Sequence, residues 1–374
     1  MEMKAAVTEV LKENPEFKIT TVNIREPKEG EVRVKMAGTG ICHTDVAYAT
    51  DEFGLPLALP MVMGHEGSGI VESVGKGVTK VTPGDHVVIA DPSCGQCKAC
   101  KSGKPWLCEK KADMSILISG KDAFGGSYLT TTDGKPIATM FSQGSFAEYV
   151  LASERSITKI PDDMDLKIAG PLGCGLRTGS GAIKSTIKPE PGEWVIVNGG
   201  GTVGLSALWM GKAVGAKVAV VDIQDGRLEM AKETGADAVI NAAGMSEEEE
   251  TKAIIDAMGG ELAVGLVECS GYAPGIKASM SAVGAGGRVA QIGVGGEITF
   301  DSWFFGPVNY KKITFIAMGD ISNDDIIPEL CKLYKEGKFP YDRLITTYKF
   351  QDIQQAIDDN IAGKNIKPVL LFED

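Results

Sequence analysis

Four cysteines crowd into one short stretch, Cys94, Cys97, Cys100 and Cys108, in the pattern C-x2-C-x2-C-x7-C. Four thiolates on one lobe can close a tetrahedral sulfur shell around Zn²⁺, and with no open position such a metal is structural. An iron–sulfur cluster is the rival occupant, because four thiolates suit it as well. The bacterial ferredoxin run, however, ends in a shorter spacer followed by proline, which this stretch lacks. Left unligated, thiols in this density would be prone to oxidation. A looser set comprises Cys42 in GICHTD, His65 with Glu66 in GHE, and Cys174 in PLGCG. One imidazole and two thiolates suit a catalytic zinc that keeps its fourth position for water or substrate. Spacing cannot join residues so far apart in the chain, and a lone Cys174 is more often a buried core thiol. The other histidines are His43 and His86. His86, in GDHVV at a strand start, reads as structural; Cys269 and Cys331, in apolar contexts, read as core.

A second kind of chemistry is written in WVIVNGGGTVG, residues 194–204. Gly199, Gly201 and Gly204 form G-x-G-x-x-G between an apolar strand and a helical pattern, and the next strand, KVAVVD, ends in Asp222 at about the ~20-residue offset of a ribose-binding acid. Gly199 permits the tight turn, Gly201 lets the backbone approach a pyrophosphate seated on the helix N-terminus, and Gly204 lets helix and strand pack closely. Thr202 and Val203 begin that helix. A carboxylate at Asp222 accepts from a ribose 2′-hydroxyl and repels a 2′-phosphate, which favours NAD over NADP; Arg227, five residues on, softens the preference. A second glycine cluster, Gly284–Gly287, reads as a turn before the strand RVAQIG.

These groups need elements to hold them. Up to about Pro171 the chain reads as short strands with turns, such as Glu31–Met36, Gly69–Val74 and His86–Ala90. From Pro191 short apolar strands (194–198, 217–222, 238–241, 266–269, 288–292 and 313–318) alternate with helical patterns at 202–214 and 226–234. That alternation builds a parallel sheet covered by helices. A helix at 324–337 and a strand at 367–372 close the chain. Ser246 and Glu249 form a capping box, and the acids Glu247–Glu250 read as a solvated helix start rather than a cation site. The length of 374 residues suits two or three domains, and a net charge of −12 disfavours nucleic acid and anionic membranes as partners. With 47 glycines the chain is well above the usual ~7% and expects many tight turns. No apolar run reaches a membrane span or a secretory signal, so a cytoplasmic location is expected.

The stretches GICHTD (40–45), GHEGSGIVESVGKGV (64–78), the four-cysteine lobe (94–108), GCGLRTG (173–179) and NGGGTVGLS (198–206) resemble the zinc-dependent medium-chain alcohol dehydrogenases, end to end and in order. The resemblance implies an α/β architecture, with a doubly wound Rossmann sheet and a mainly β, GroES-like catalytic domain. The catalytic domain would span 1–173 and 320–374, and the NAD-binding domain 174–319. It implies two zinc ions per chain: a catalytic one on Cys42, His65 and Cys174, with Glu66 close by, and a structural one on Cys94, Cys97, Cys100 and Cys108. By the same resemblance Asp45 hydrogen-bonds His65, and Thr44 bridges the alcohol and the nicotinamide ribose. Thr178, Ile292 and Val294 line the nicotinamide, while His43 and Lys367 contact the pyrophosphate. Many members carry a relay histidine five residues after the first zinc cysteine. Here that position is Ala47, so the proton leaves by water or through His43.

The expected reaction is reversible hydride transfer between an alcohol and NAD. The wording IPELCKLYKEGKFPYDRL (327–344) and PLGCGLRTGSGA (171–182) is most similar to aryl (benzyl) alcohol dehydrogenases, and Ala90 replaces a bulky pocket residue of some alkyl enzymes. A broad primary alkyl or allylic alcohol dehydrogenase is the runner-up. A non-catalytic NAD-binding scaffold and an iron–sulfur carrier are the readings from other classes. The resemblance further implies a homodimer or homotetramer with a small-molecule substrate.

Overall fold

The computed structural model describes residues 1–52, 54, 57–111, 126–295 and 297–373. The chain divides into two compact units: Met1–Cys174 with Ser322–Cys331 and Asp342–Asp374, and Gly175–Ile321 with Lys332–Tyr341.

In the first unit the strands Glu2–Thr8, Lys18–Ile24, Leu129–Thr131, Pro136–Thr139 and Met61–Val62 close a small barrel. Beside it a second sheet runs in the order Ile157–Lys159, His86–Ile89, Glu66–Val74, Glu31–Gly40, Lys367–Leu371, Ile345–Lys349. Val32, Val34, Met36, Val71, Val87 and Ile89 from this sheet share one apolar core with Met3, Val22, Ile24 and Met61 from the barrel. The alternation in EVRVKM implies one wet face, yet Arg33 is buried too. Its guanidinium reaches Glu26 at 2.9 Å and Glu72 at 2.6 Å, so the stem is covered while the charge is paired. Two registers in this sheet decide the chemistry: Gly40 pairs opposite Glu66, and Val369 opposite Gly40. They bring the strand end that leads to Cys42, the residue after His65, and the strand carrying Lys367 to one place.

The second unit is a wholly parallel sheet in the order Ala238–Asn241, Lys217–Asp222, Trp194–Asn198, Ala263–Glu268, Val283–Gln291, Lys312–Phe315. That order reverses between Trp194–Asn198 and Ala263–Glu268, the doubly wound pattern whose ligands bind at the reversal. The helices Thr202–Ala213, Asp225–Glu233, Glu247–Ala257 and Ala273–Ser281 form the crossovers. The capping box forms: Glu249 N–H donates to Ser246 Oγ at 3.3 Å and Ser246 N–H to Glu249 Oε2 at 2.9 Å.

Three expectations need correction. Gly284–Gly287 is no turn before a strand but part of the strand Val283–Gln291. Val283 already pairs opposite Ala263 and pairing resumes at Arg288 opposite Gly265, so the register shift absorbs the glycines as a bulge. The last sheet strand stops at Phe315 rather than Met318; the Ile316 amide still donates to the Gln291 carbonyl at 2.9 Å, and Met318 takes a left-handed φ of 58°. Glu250 is buried rather than solvated, and burial pushes its carboxyl up. No described helix is long and apolar enough to cross a membrane.

Candidate active site

Cys42 caps the helix His43–Ala49, whose first turn carries Thr44 and Asp45. Asp45 is fully buried and takes three donors. They are the amide of Cys42 at 2.8 Å, the amide of Gly64 at 3.2 Å and His65 Nδ1 at 2.9 Å. The third bond fixes the tautomer of His65 and leaves Nε2 as the free ligand atom. Gln143 holds the neighbouring backbone, accepting from Gly67 N–H at 2.9 Å and donating to the His65 carbonyl at 3.2 Å. The Phe141 ring lies 4.9 Å from the imidazole, centroid to centroid. The turn Gly170–Gly173 then delivers Cys174. Gly170 has to be glycine there, since a Cβ would lie 2.0 Å from the Glu66 carbonyl oxygen.

The outcome is a pocket in which one ligand atom from each of Cys42, His65, Glu66 and Cys174 lies within 4.8 Å of the others. The spacing that could not join these residues is resolved by the strand register. Their charges conflict. The hydrogen bond with Cys174, helped by His65, holds the Cys42 thiol well below its ordinary range, and the same bond together with burial pushes Cys174 well above it. Burial works against a charged His65, but Asp45 beside it lifts the imidazole well above the usual range. Cys174 can ionise beside the Cys42 thiolate and Glu66 only with added positive charge. Two sulfurs, an imidazole nitrogen and a carboxylate oxygen at this spacing are a donor set that zinc satisfies.

The Lys367 ammonium is buried and spends its three protons on Glu66 Oε1 at 3.0 Å, Glu66 Oε2 at 2.9 Å and the Ile41 carbonyl at 3.0 Å. Gly40 makes room for this pair, as a Cβ there would fall 2.1 Å from Glu66 Oε2. Nothing in the local sequence around either residue announces the contact. Thr44 Oγ1 sits 3.6 Å from Cys42 Sγ, and His43 is at the surface with Nε2 3.8 Å from Glu52. Ala47 and Ala90 are fully buried, and His86, though half-buried, leaves its Nδ1 without a partner among the described residues.

The lobe Cys94, Cys97, Cys100 and Cys108 also gathers its sulfurs within 4.8 Å of one another, with Cys94 and Cys100 at 3.9 Å. Backbone amides point at these sulfurs: Gln96 and Cys97 donate to Cys94 at 3.4 Å, and Cys94 N–H to Cys108 at 3.3 Å. Burial alone would raise the Cys94 thiol, but those amides outweigh it and bring it to about 6. The Cys97 thiol is lowered too, by the Cys100 amide, while burial and the neighbouring thiols push Cys100 up to about 12 and Cys108 up, a crowding that a tetrathiolate metal relieves.

In the second unit Gly199 has φ +99°, and a Cβ on Gly204 would lie 1.8 Å from the Gly199 carbonyl oxygen, so turn and close packing both demand glycine. A Cβ on Gly201 would meet no protein atom within 4 Å, which leaves space for a ligand. The helix Thr202–Ala213 starts there with no side-chain cap, so its first amides face the same space. Val203 stands in the first turn of this helix, and its carbonyl lies 1.9 Å from where a Cβ on Gly179 would be. Asp222 is buried and braces the loop: Oδ2 accepts from Gly200 N–H at 2.6 Å, and Oδ1 from Ile223 and Gln224 at 2.7 and 2.9 Å. Arg227 approaches Asp222 at 3.5 Å. Thr178 is buried in the helix Gly175–Ala182, Ile292 is half-buried and Val294 is exposed. Cys331 is buried as expected of a core thiol, and Cys269 lies part-exposed beside Gly199.

Comparison with known proteins agrees with this construction. Residues 28–162 match the model of the alcohol dehydrogenase GroES-like domain, and residues 202–336 that of the zinc-binding dehydrogenase family. Geraniol dehydrogenase of Castellaniella defragrans is 36% identical over 95% of this chain and 94% of its own. The class-3 alcohol dehydrogenase of Caenorhabditis elegans is also 36% identical, over 95% of this chain and 93% of its own. The crystal structure of benzyl alcohol dehydrogenase from Acinetobacter calcoaceticus superposes with a TM-score of 0.92, covering both chains fully at 36% identity. The chain belongs to the zinc-dependent medium-chain alcohol dehydrogenase family.

Proposed function

We propose that this protein oxidises aryl or allylic primary alcohols to aldehydes, reversibly, with NAD as the hydride acceptor and zinc on Cys42, His65 and Cys174. The observation that carries this reading is the convergence of those three side chains in one buried pocket, with His65 aligned by Asp45. The fit of the substrate class rests on the likeness to the benzyl alcohol and geraniol enzymes. When bound, zinc supplies a Lewis acid that makes an alcohol hydroxyl more acidic, and the nicotinamide supplies the hydride acceptor.

The chain's own residues do the rest. Asp45 keeps the Nδ1 proton of His65, so Nε2 stays available. Lys367 pairs with Glu66 and keeps that carboxylate from standing alone in the pocket. Thr44 presents its hydroxyl beside Cys42, where it can take the alcohol proton. His43, at the surface, can pass a proton to water. The Gly199–Gly201 loop and the uncapped amides of Thr202–Ala213 suit a pyrophosphate, and the Asp222 carboxylate disfavours a 2′-phosphate. The cysteine lobe holds a structural zinc. None of the eight cysteines forms a disulfide, which suits a reducing compartment, and we place the protein in the cytoplasm. The outer strand Lys312–Phe315 leaves Phe315 77% exposed, with Trp303 and Tyr310 also exposed nearby in sequence, which suits assembly as a homo-oligomer.

The test is nicotinamide absorbance during turnover with NAD⁺, comparing kcat/KM for benzyl alcohol and for ethanol. A large preference for benzyl alcohol supports the aryl reading. A preference for ethanol rejects it, and no turnover of either by protein that contains zinc and binds NAD means an unusual substrate or the non-catalytic scaffold.

A further inference from the structure

Glu268 is the last residue of the strand Ala263–Glu268 and pairs opposite Asn198, the last residue of the strand entering the glycine loop. The sheet order reverses between these two strands, where open α/β sheets bind their ligands. The Glu268 side chain is fully buried and fully engaged. Oε1 accepts from Ser270 N–H at 2.7 Å, Ser270 Oγ at 2.5 Å and Gly271 N–H at 3.1 Å. Oε2 accepts from Gln291 Nε2 at 2.7 Å. That same nitrogen, on a buried side chain, gives its second proton to the Gly293 carbonyl at 2.9 Å. The main-chain carbonyl of Glu268 accepts from the amides of Ile292 and Gly293, both at 2.9 Å.

One residue therefore grips the turn at 270–271 with one carboxylate oxygen, and the segment 291–293 with the other and with its backbone. These two segments touch backbone to backbone. A Cβ on Gly293 would lie 2.3 Å from Gly271 N, one on Gly295 1.9 Å from Gly271 O, and one on Gly271 2.5 Å from Val294 O. Three interleaved glycines leave no side chains to set the spacing, so hydrogen bonds set it. Burying a carboxylate is costly, and a purely structural link at this place could be apolar. A polar latch fixes a direction and a distance that apolar packing does not.

We infer that Glu268 and Gln291 are positioning residues for the dinucleotide, holding the backbone at 270–271 and 292–294 in the shape that binds it. This rests on the NAD reading above. Both side chains are buried, so they act through the two segments.

E268Q separates the links. The remaining oxygen can keep the donors of Ser270 and Gly271, but the new amide nitrogen faces the Gln291 nitrogen, donor against donor. Gln291 cannot turn its amide round without setting its oxygen against the Gly293 carbonyl. The measurement is NAD⁺ Kd by quenching of intrinsic fluorescence on the zinc-loaded protein, with Tm recorded alongside. E268Q is expected to raise Kd roughly tenfold, the loss of one buried hydrogen bond with a donor left unpaired. Q291M, which leaves Glu268 and its three loop donors intact, is expected to raise Kd as E268Q does and serves if E268Q fails to fold. Kd unchanged in both single variants, whatever their Tm, overturns the inference and leaves a structural role. Parent protein that fails to bind NAD⁺ overturns the cofactor reading itself, a distinct result.

Discussion

Replacing Lys367 by methionine keeps most of the side chain's length and removes only its charge. The ammonium is 4% exposed and the Glu66 carboxylate 0%, so the variant strands a carboxylate in a pocket that already holds two thiols and Asp45. Removing one partner of a buried pair costs about 3–5 kcal/mol, chiefly from the charge left behind. For a domain of this size 1 kcal/mol corresponds to about 2–4 °C, so the melting temperature should fall by roughly 6–20 °C. The double variant K367M/E66Q removes both charges and should recover part of that loss, with a coupling of at least ~1 kcal/mol between the two sites. The assay is thermal unfolding followed by circular dichroism for the parent, the two single variants and the double. A drop below about 2 °C for K367M, or strictly additive single effects, would refute the view that Lys367 is there to neutralise Glu66.

Three further outcomes follow from the geometry. C100S opens the sulfur shell of the lobe and should lower zinc content by one equivalent per chain, measured by elemental analysis; full retention of both would show that the four thiols do not hold a metal together. G204A places a methyl 1.8 Å from the Gly199 carbonyl oxygen, so the loop must shift; we expect about 1–3 kcal/mol of destabilisation and weaker NAD⁺ binding, and an unchanged Kd would contradict the assigned role. The hydrogen bond from Arg33 holds the Glu72 carboxyl below its ordinary range. Its contribution is complete above about pH 4.3 and fades as the pH falls through the depressed value. Because Glu72 is partly exposed, E72Q should cost only about 0.2–1 kcal/mol at pH 7 and nothing near pH 2; a Tm difference that does not shrink with acid would exclude this pair as its cause.

What could be read along the chain was what is local. The four cysteines of the lobe lie within one short stretch, and the helical turns Lys98–Lys101 and Pro105–Leu107 between them fold their sulfurs together. The glycine loop and Asp222 belong to one strand–helix–strand unit, and the strands Trp194–Asn198, Lys217–Asp222 and Ala238–Asn241 fall where apolar runs bounded by turns place them. Cys42, His65 and Cys174 carry no mutual spacing signal; motif resemblance named them. Antiparallel register between Glu31–Gly40 and Glu66–Val74, with the turn Gly170–Gly173, brings them within reach. The ion pair of Lys367 with Glu66 and the latch of Glu268 with Gln291 lie beyond any one-dimensional pattern. Each joins residues of different strands whose contact depends on pairing register and on glycines that leave room for a carboxylate or a neighbouring backbone. Residue type and short spacing determined which atoms could bind a metal or a phosphate. Tertiary structure decided which charges are buried together, because burial and register are set by the whole sheet rather than by any segment of it.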